Sequence, residues 1–310
     1  MTTNDPSTSA FAAELIAGLR ATPRVVSPKW FYDHEGSQLF EQICELPEYY
    51  PTRTELGLLE RHAREMAECI GPDAEIVEFG AGASRKVRFL LDALRTPRRY
   101  VPVDISADHL ELAAAELRRS YSGLEVCPLG ADYTRTLPLP CRAGRRVGFF
   151  PGSSIGNFDP VQAAALLAGF APLLNGGGLL VGVDLVKDPA LLHAAYNDSR
   201  GVTARFNQNL LARANRDLGA DFALDGFWHS AFYQPALQRI EMHLISRRAQ
   251  TVSLCGERIH FERGDSLHTE NSYKYTIAGF QQLVRGAGWH PRAVWQDADE
   301  LFSLHWLEPA

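Results

Sequence analysis

Between residues 76 and 183 short apolar runs alternate with amphipathic stretches, whereas beyond residue 227 apolar and polar positions alternate singly. The first pattern predicts strands at 76–79, 100–103, 124–126, 146–150 and 179–183, with helices at 84–94, 107–121 and 161–174 between them. That order implies a parallel sheet with helices on both faces. The second pattern, at 227–234, 238–247, 251–254, 259–262 and 269–276, predicts an antiparallel sheet of hairpins after a helical stretch at 189–218. A helix at 277–287 and strands at 293–296 and 302–306 follow. Upstream, helical spacing marks 11–19 and 38–44, and Thr54 is expected to cap a long helix with Leu56, Leu59, His62, Ala63, Met66 and Ile70 on one side. The polar residues up to Ser9 are expected to be disordered.

Ligands of parallel sheets sit beyond the carboxyl ends of the strands, so the residues after each strand carry the chemistry. The first strand runs into Glu78-Phe79-Gly80-Ala81-Gly82. Its glycines allow a tight turn and close approach of a ligand to the backbone. The next strand ends in Asp104, about 20 residues on, where doubly wound folds grip a ribose diol. There is no third glycine as in dinucleotide sites, and the Glu-x-Gly-x-Gly order resembles the first motif of S-adenosylmethionine (SAM)-dependent methyltransferases. By that resemblance Asp132 would accept from the adenine amine, Tyr133 would pack on the ring, and the loop 151–158 with Asn157 would lie near the sulfonium.

Composition narrows the possibilities. The chain is 45% hydrophobic with a formal net charge of −6 and has no Lys/Arg run, which argues against a nucleic-acid partner. No apolar stretch approaches the roughly 18 residues of a membrane span, and no secretory signal is evident at the start. Cys44, Cys69, Cys127, Cys141 and Cys255 are scattered, without zinc or disulfide spacing, which points to a reducing, cytoplasmic setting. His34, His62, His109, His193, His229 and His268 lack metal-ligand spacing, and no metal is expected.

Within the period-two region, Glu270 and Ser272 would share a strand face, about 7 Å apart. A carboxylate and a hydroxyl so placed can engage the two ring nitrogens of an imidazole, although a solvated strand face would carry the same pair. The aromatics at 30–32 and 49–50 fit either ordinary packing or a ligand loop.

Almost the whole chain resembles the L-histidine Nα-methyltransferases of ergothioneine formation. The likeness rests on Pro-Lys-Trp-Phe-Tyr-Asp (28–33), Leu-Pro-Glu-Tyr-Tyr-Pro-Thr-Arg (46–53), Gly-Ser-Ser-Ile-Gly-Asn (152–157), Asp-Leu-Val-Lys-Asp (184–188), Gly-Val-Thr-Ala-Arg-Phe-Asn (201–207), Arg-Ile-Glu-Met (239–242) and the Glu270/Ser272 pair. It implies an α/β fold: a Rossmann-like class I SAM-dependent methyltransferase domain at 20–188 and 275–310, with an inserted α+β substrate-binding lid domain at 189–274 joined by 1–19. Asn157 and Tyr196 would hold the histidine carboxylate, with Tyr49 nearby. Tyr32 would be the catalytic residue, bonding the α-amine; Glu270 and Ser272 would select the imidazole; Met242 would line its pocket. Gly80, Lys86, Asp104, Asp132 and Tyr133 would bind SAM. The implied enzyme is a monomer that methylates histidine and its mono- and dimethyl forms, touching neither nucleic acid nor membrane. Methylation of another amino acid or small amine is the nearest alternative; it would leave Glu270 unpaired in a closed pocket. A non-catalytic nucleotide-binding module and a nucleic-acid methyltransferase are more distant ones.

Overall fold

In the computed structural model, which describes residues 6–310, the chain opens with α1 (Pro6–Arg20), β1 (Arg24–Val25), α2 (His34–Cys44) and α3 (Tyr50–Ile70). There follow β2 (Ala74–Phe79), α4 (Val87–Ala93), β3 (Arg99–Asp104), α5 (Ala107–Ser120), β4 (Glu125–Val126), β5 (Leu129–Gly130), β6 (Arg145–Phe150), α6 (Pro160–Leu174) and β7 (Leu179–Asp184). Next come α7 (Pro189–Tyr196), α8 (Val202–Leu218), β8 (Phe227–Gln234), β9 (Arg239–Ser246), β10 (Gln250–Leu254), β11 (Glu257–Phe261) and β12 (Ser266–Tyr273). The chain closes with α9 (Ile277–Gly286), β13 (Trp289–Gln296) and β14 (Phe302–Pro309). These elements form two compact units, one made of residues up to Tyr49 with Pro189–Ser272, the other of Tyr50–Asp188 with Tyr273–Ala310.

The second unit is built on the sheet β13-β14-β7-β6-β2-β3-β4, with β5 also paired to β3. Strands β7, β6, β2, β3 and β4 are mutually parallel, and β14 runs antiparallel to both β7 and β13. Every residue of β2 and β7 is buried, as a sheet covered on both faces requires. One face packs Leu59, Met66, Leu90 and Leu117; the other packs Phe79, Phe150, Phe170 and Trp289. The strand order reverses about β2, so ligands are expected beyond the ends of β2, β3 and β6.

Local differences from the sequence expectation have simple causes. Helix α3 begins at Tyr50, not after Thr54, because Pro51 suits a first turn and the Thr54 hydroxyl donates back to the Tyr50 carbonyl at 2.9 Å. Leu56 is only half-buried on it, and Glu55 with Leu58 faces inward instead. Helix α4 starts at Val87, later than residue 84, because Gly82 and Ser84 hold positive φ and lengthen the turn. Pro6–Ser9, expected to be disordered, lie in α1, while residues 1–5 are outside the described range.

The first unit holds a four-stranded sheet in the order β1-β12-β9-β8, with β1 parallel to β12 and β8 antiparallel to β9. The β10–β11 hairpin is a separate two-stranded sheet rather than part of one meander. Residues 20–49, assigned from sequence to the methyltransferase domain, fall in this first unit. The Val26 amide donates to the His268 carbonyl at 3.0 Å, and the Arg213 guanidinium covers the rings of Phe11 and Trp30. Among the described residues no helix is long and apolar enough to cross a membrane.

Candidate active site

The sequence-predicted site residues fall into two clusters, one in each unit. In the second unit Gly80 (φ 73°) and Gly82 (φ 49°) adopt left-handed backbone conformations. Gly80 and Ala81 donate to the Val103 carbonyl at 2.9 and 3.2 Å, tying the turn to the end of β3. The space where a Cβ would stand on Gly82 is open, and beside Gly80 the nearest atom is the Tyr133 ring at 3.6 Å. Asp104 accepts from the Gly82 amide with one oxygen and from the Ser106 amide with the other, each at 3.0 Å. An ionised carboxylate has about four lone-pair positions, so capacity remains for a diol. Asp132 accepts from the amide and hydroxyl of Thr134. Tyr133 packs edge-on against Phe79, Phe150 and Phe158, and burial raises its phenol far above the tyrosine range. An open glycine turn, a diol acceptor and an aromatic wall fit an adenosyl group with a methionine tail.

Two supporting residues were not anticipated. Glu55, fully buried, binds the Lys86 ammonium at 2.6 Å and accepts from the Gly152 amide at 2.9 Å. It thereby couples the glycine-turn lysine to the loop after β6. Its signal in the sequence is an acid on the apolar stripe of a helix. The other is Tyr100, whose hydroxyl donates to Glu78 and lies 2.9 Å from the Ser84 hydroxyl. Burial pushes the Glu78 carboxyl up to about 8 despite Tyr100 and the Lys86 charge, so it is neutral at pH 7.

That shift has a sign. Between 4.5 and about 8 the native state keeps a proton that the unfolded chain releases, so stability falls as pH rises through this window. Glu78→Gln does not titrate there. Its stability relative to the parent is therefore expected to rise by about 3–5 kcal/mol from pH 4.5 to pH 9, read by urea unfolding. A pH-independent difference would mean that Glu78 is ionised in the native state.

On the loop after β6, Ser153 takes positive φ (57°) and its hydroxyl accepts from the Asp184 amide at 2.9 Å. Residues Ser154–Asn157 form one 3-10 turn, with Asn157 half-buried at its end. Gly156 is required there, since a Cβ would lie 2.8 Å from the Tyr273 carbonyl.

The first unit gathers the aromatic residues. Tyr32 lies 5.6 Å from Phe40 and 5.5 Å from Phe206, ring to ring. Tyr49 follows at 6.3 Å from Phe40 and 6.4 Å from Tyr196. The Tyr196 hydroxyl donates to the Ser272 hydroxyl at 2.7 Å, and its carbonyl is 2.9 Å from His229 Nε2. Burial, then Tyr196, Cys44, Tyr32 and the Glu270 carboxylate, hold the Tyr49 phenol well above its usual range, so it stays a neutral donor. Tyr32, Tyr49, Tyr196, Glu270 and Ser272 thus form one neighbourhood. Phe206 on α8 completes it and was not singled out from sequence. Next to Tyr32, Asp33 caps α2: burial would raise its carboxyl, but Gly36, Arg216 and Asn209 outweigh this and hold it low. Met242 is buried on β9, with its carbonyl 3.0 Å from the Thr269 hydroxyl; no contact places its side chain among the tyrosines. Asn157 belongs to the other unit's cluster.

The sequence family described as histidine-specific, SAM-dependent methyltransferases matches residues 11–309. A histidine N-alpha-methyltransferase from Mycobacterium tuberculosis is 42% identical over 301 residues, covering 95% of this chain and 94% of that one. One from Mycolicibacterium smegmatis is 41% identical, covering 97% and 95%. Ergothioneine biosynthesis protein 1 of Neurospora crassa is 33% identical over 92% of this chain but only 33% of its own length.

Proposed function

Because the chain belongs to the SAM-dependent, histidine-specific methyltransferase family, we propose that it adds three methyl groups in turn to the α-nitrogen of L-histidine. The product is histidine betaine, and the reaction opens ergothioneine formation. The observation that carries this reading is the placement of Glu270 and Ser272 beside three tyrosines: a carboxylate and a hydroxyl for an imidazole, with phenols for an amino acid's polar end.

SAM supplies an already activated methyl group, so the protein contributes alignment and charge complementarity. Asp104 takes the ribose diol, Asp132 the adenine amine, and Tyr133 the face of the ring; Gly80 and Lys86 serve the methionine end. Tyr196, Tyr49 and Asn157 bind the histidine carboxylate. Glu270 accepts one imidazole N–H, and Ser272 serves the other nitrogen. Met242 borders the imidazole. Tyr32 bonds the α-amine and keeps its lone pair directed at the incoming carbon. Conversion of an ammonium to a trimethylammonium releases three protons in all, one for each methyl gained. Among the described residues no side chain near Tyr32 stands out as a strong base, and the protons go to solvent. The quaternary product is tolerated by the rings of Tyr32, Phe40, Tyr49 and Phe206 through cation–π attraction.

This reading takes the enzyme as a monomer acting on a small molecule. Five cysteines, none of them in a disulfide, support a reducing, cytoplasmic setting.

The test is mass spectrometry of the purified protein with SAM and a mixture of the twenty amino acids. Histidine alone is expected to gain three methyl groups. A gain on another amino acid would keep the chemistry and overturn the pocket; methylation of none would overturn the proposal.

A further inference from the structure

The sheet of the first unit brings together Glu241, His243 and His268, with one donor atom from each lying within 4.8 Å of the others. We propose that these three residues form a binding site for a late first-row divalent cation such as zinc(II), cobalt(II) or copper(II). Two imidazoles and a carboxylate are the donor set such ions prefer, and the set suits magnesium or calcium poorly.

The arrangement follows from strand geometry. Glu241 and His243 are alternate residues of β9 and so share a face. His268 comes from β12, the neighbouring strand. The rings of His243 and His268 stack at 4.6 Å and 16°, and Phe232 lies against the other side of His243 at 5.3 Å. Both imidazoles are therefore held in place before any ion arrives.

The surrounding hydrogen bonds set the protons. His268 Nε2 is 3.0 Å from the Glu270 carbonyl. A carbonyl only accepts, so Nε2 carries the hydrogen and Nδ1 carries the lone pair. His243 Nδ1 lies 2.7 Å from the Ser266 hydroxyl, which accepts or donates, and His243 Nε2 lies 3.1 Å from Glu241. Moving the His243 proton from Nε2 to Nδ1 keeps the Ser266 bond and frees Nε2 for a cation, with no net proton release. Arg239 engages one Glu241 oxygen at 2.5 Å and leaves the other directed at His243. A carbonyl, a hydroxyl and a guanidinium thus orient the three donors from behind, as outer partners do in metal sites. Burial also holds both imidazoles below the usual histidine range, which favours the neutral ligand form. His243 and Glu241 keep side-chain exposures of 14% and 12%, so the donors are not sealed from solvent. The Arg239 charge offsets that of Glu241, so the affinity expected is moderate.

Cobalt(II) titration of the full-length, untagged protein tests this by binding alone, independently of methyl transfer. One equivalent is expected to bind and to give visible d–d bands without the near-ultraviolet charge transfer of a thiolate site. His243→Gln and His268→Gln are each expected to weaken binding about 100-fold or more, at or beyond the cost of removing an outer partner. Copper(II) spin resonance of the parent protein, which needs no variant to fold, is expected to show coupling to two nitrogens. Absence of stoichiometric binding, a thiolate band, coupling to fewer than two nitrogens, or unchanged affinity in both variants would each overturn the site.

Discussion

Replacing Glu270 with alanine is expected to lower kcat/KM for histidine about 100-fold while changing that for an apolar amino acid less than threefold. A hydrogen bond to an ionised carboxylate is worth about 1.5–3 kcal/mol, and each 1.4 kcal/mol is about tenfold in rate. Glu270 is half-buried and lies close enough to Tyr49 to raise its phenol, so the carboxylate acts in the phenol's own environment. Histidine would lose its N–H acceptor, whereas an apolar side chain would lose only an unfavourable neighbour. Glu270→Gln, which keeps an acceptor but not the charge, is expected to fall between parent and alanine. Steady-state rates of the three proteins on histidine and on leucine decide the matter. Equal losses on both substrates would remove imidazole recognition from Glu270 and leave it a structural part.

The largest stability loss is expected at Asp184. Its carboxylate is fully buried at the end of β7, accepts from Tyr50 at 2.8 Å, and meets Lys187 at 2.5 Å and Lys274 at 2.7 Å. Lys274 is itself buried, with no side-chain exposure. Asp184→Asn removes the carboxylate that the two ammonium groups share, and breaking a buried pair in this way costs about 3–5 kcal/mol. Lys187→Met is expected to cost less, because Asp184 keeps Lys274 and because burial already brings the Lys187 ammonium down to about 8. Urea unfolding at pH 7 compares them, and a loss below about 1 kcal/mol for Asp184→Asn would contradict the account. The pH dependence runs opposite to that of Glu78. Burial would raise the Asp184 carboxyl, but Lys274 and Lys187 hold it below its ordinary value. Its contribution is complete above the unfolded carboxylate pKa of about 4 and is lost as pH falls through the lower native value. The parent should therefore lose stability in acid over a range where Asp184→Asn does not.

The parallel sheet was legible because its strands are continuous apolar runs, and the candidate cofactor residues follow such runs. Asp104, Asp132 and Tyr133 could be placed by counting from Gly80. The chain resemblance, rather than periodicity, drew attention to Tyr32, Tyr49 and Tyr196, which come from three separate segments. What brings them together is α8: Phe206 touches Tyr32 and Phe40, while Asn209 fixes the cap at Asp33. No local pattern announces those contacts. The affiliation of residues 20–49 was hidden for a similar reason, since β1 has two residues and no recognisable strand pattern. The Glu241, His243 and His268 grouping escaped because metal-site spacing is usually sought along one segment, whereas this one is split between two strands.

The position of β14 has a consequence for synthesis. The strand runs from Phe302 to Pro309, so it is made after every other strand of this sheet, yet it lies between β13 and β7. Until it arrives, β7 has an open edge and β13 has no partner in the sheet. A nascent chain therefore holds the buried strand β7 at an open edge until then, and such an edge can pair with other strands. A stop before Phe302 would leave β7 and β13 without the strand that joins them.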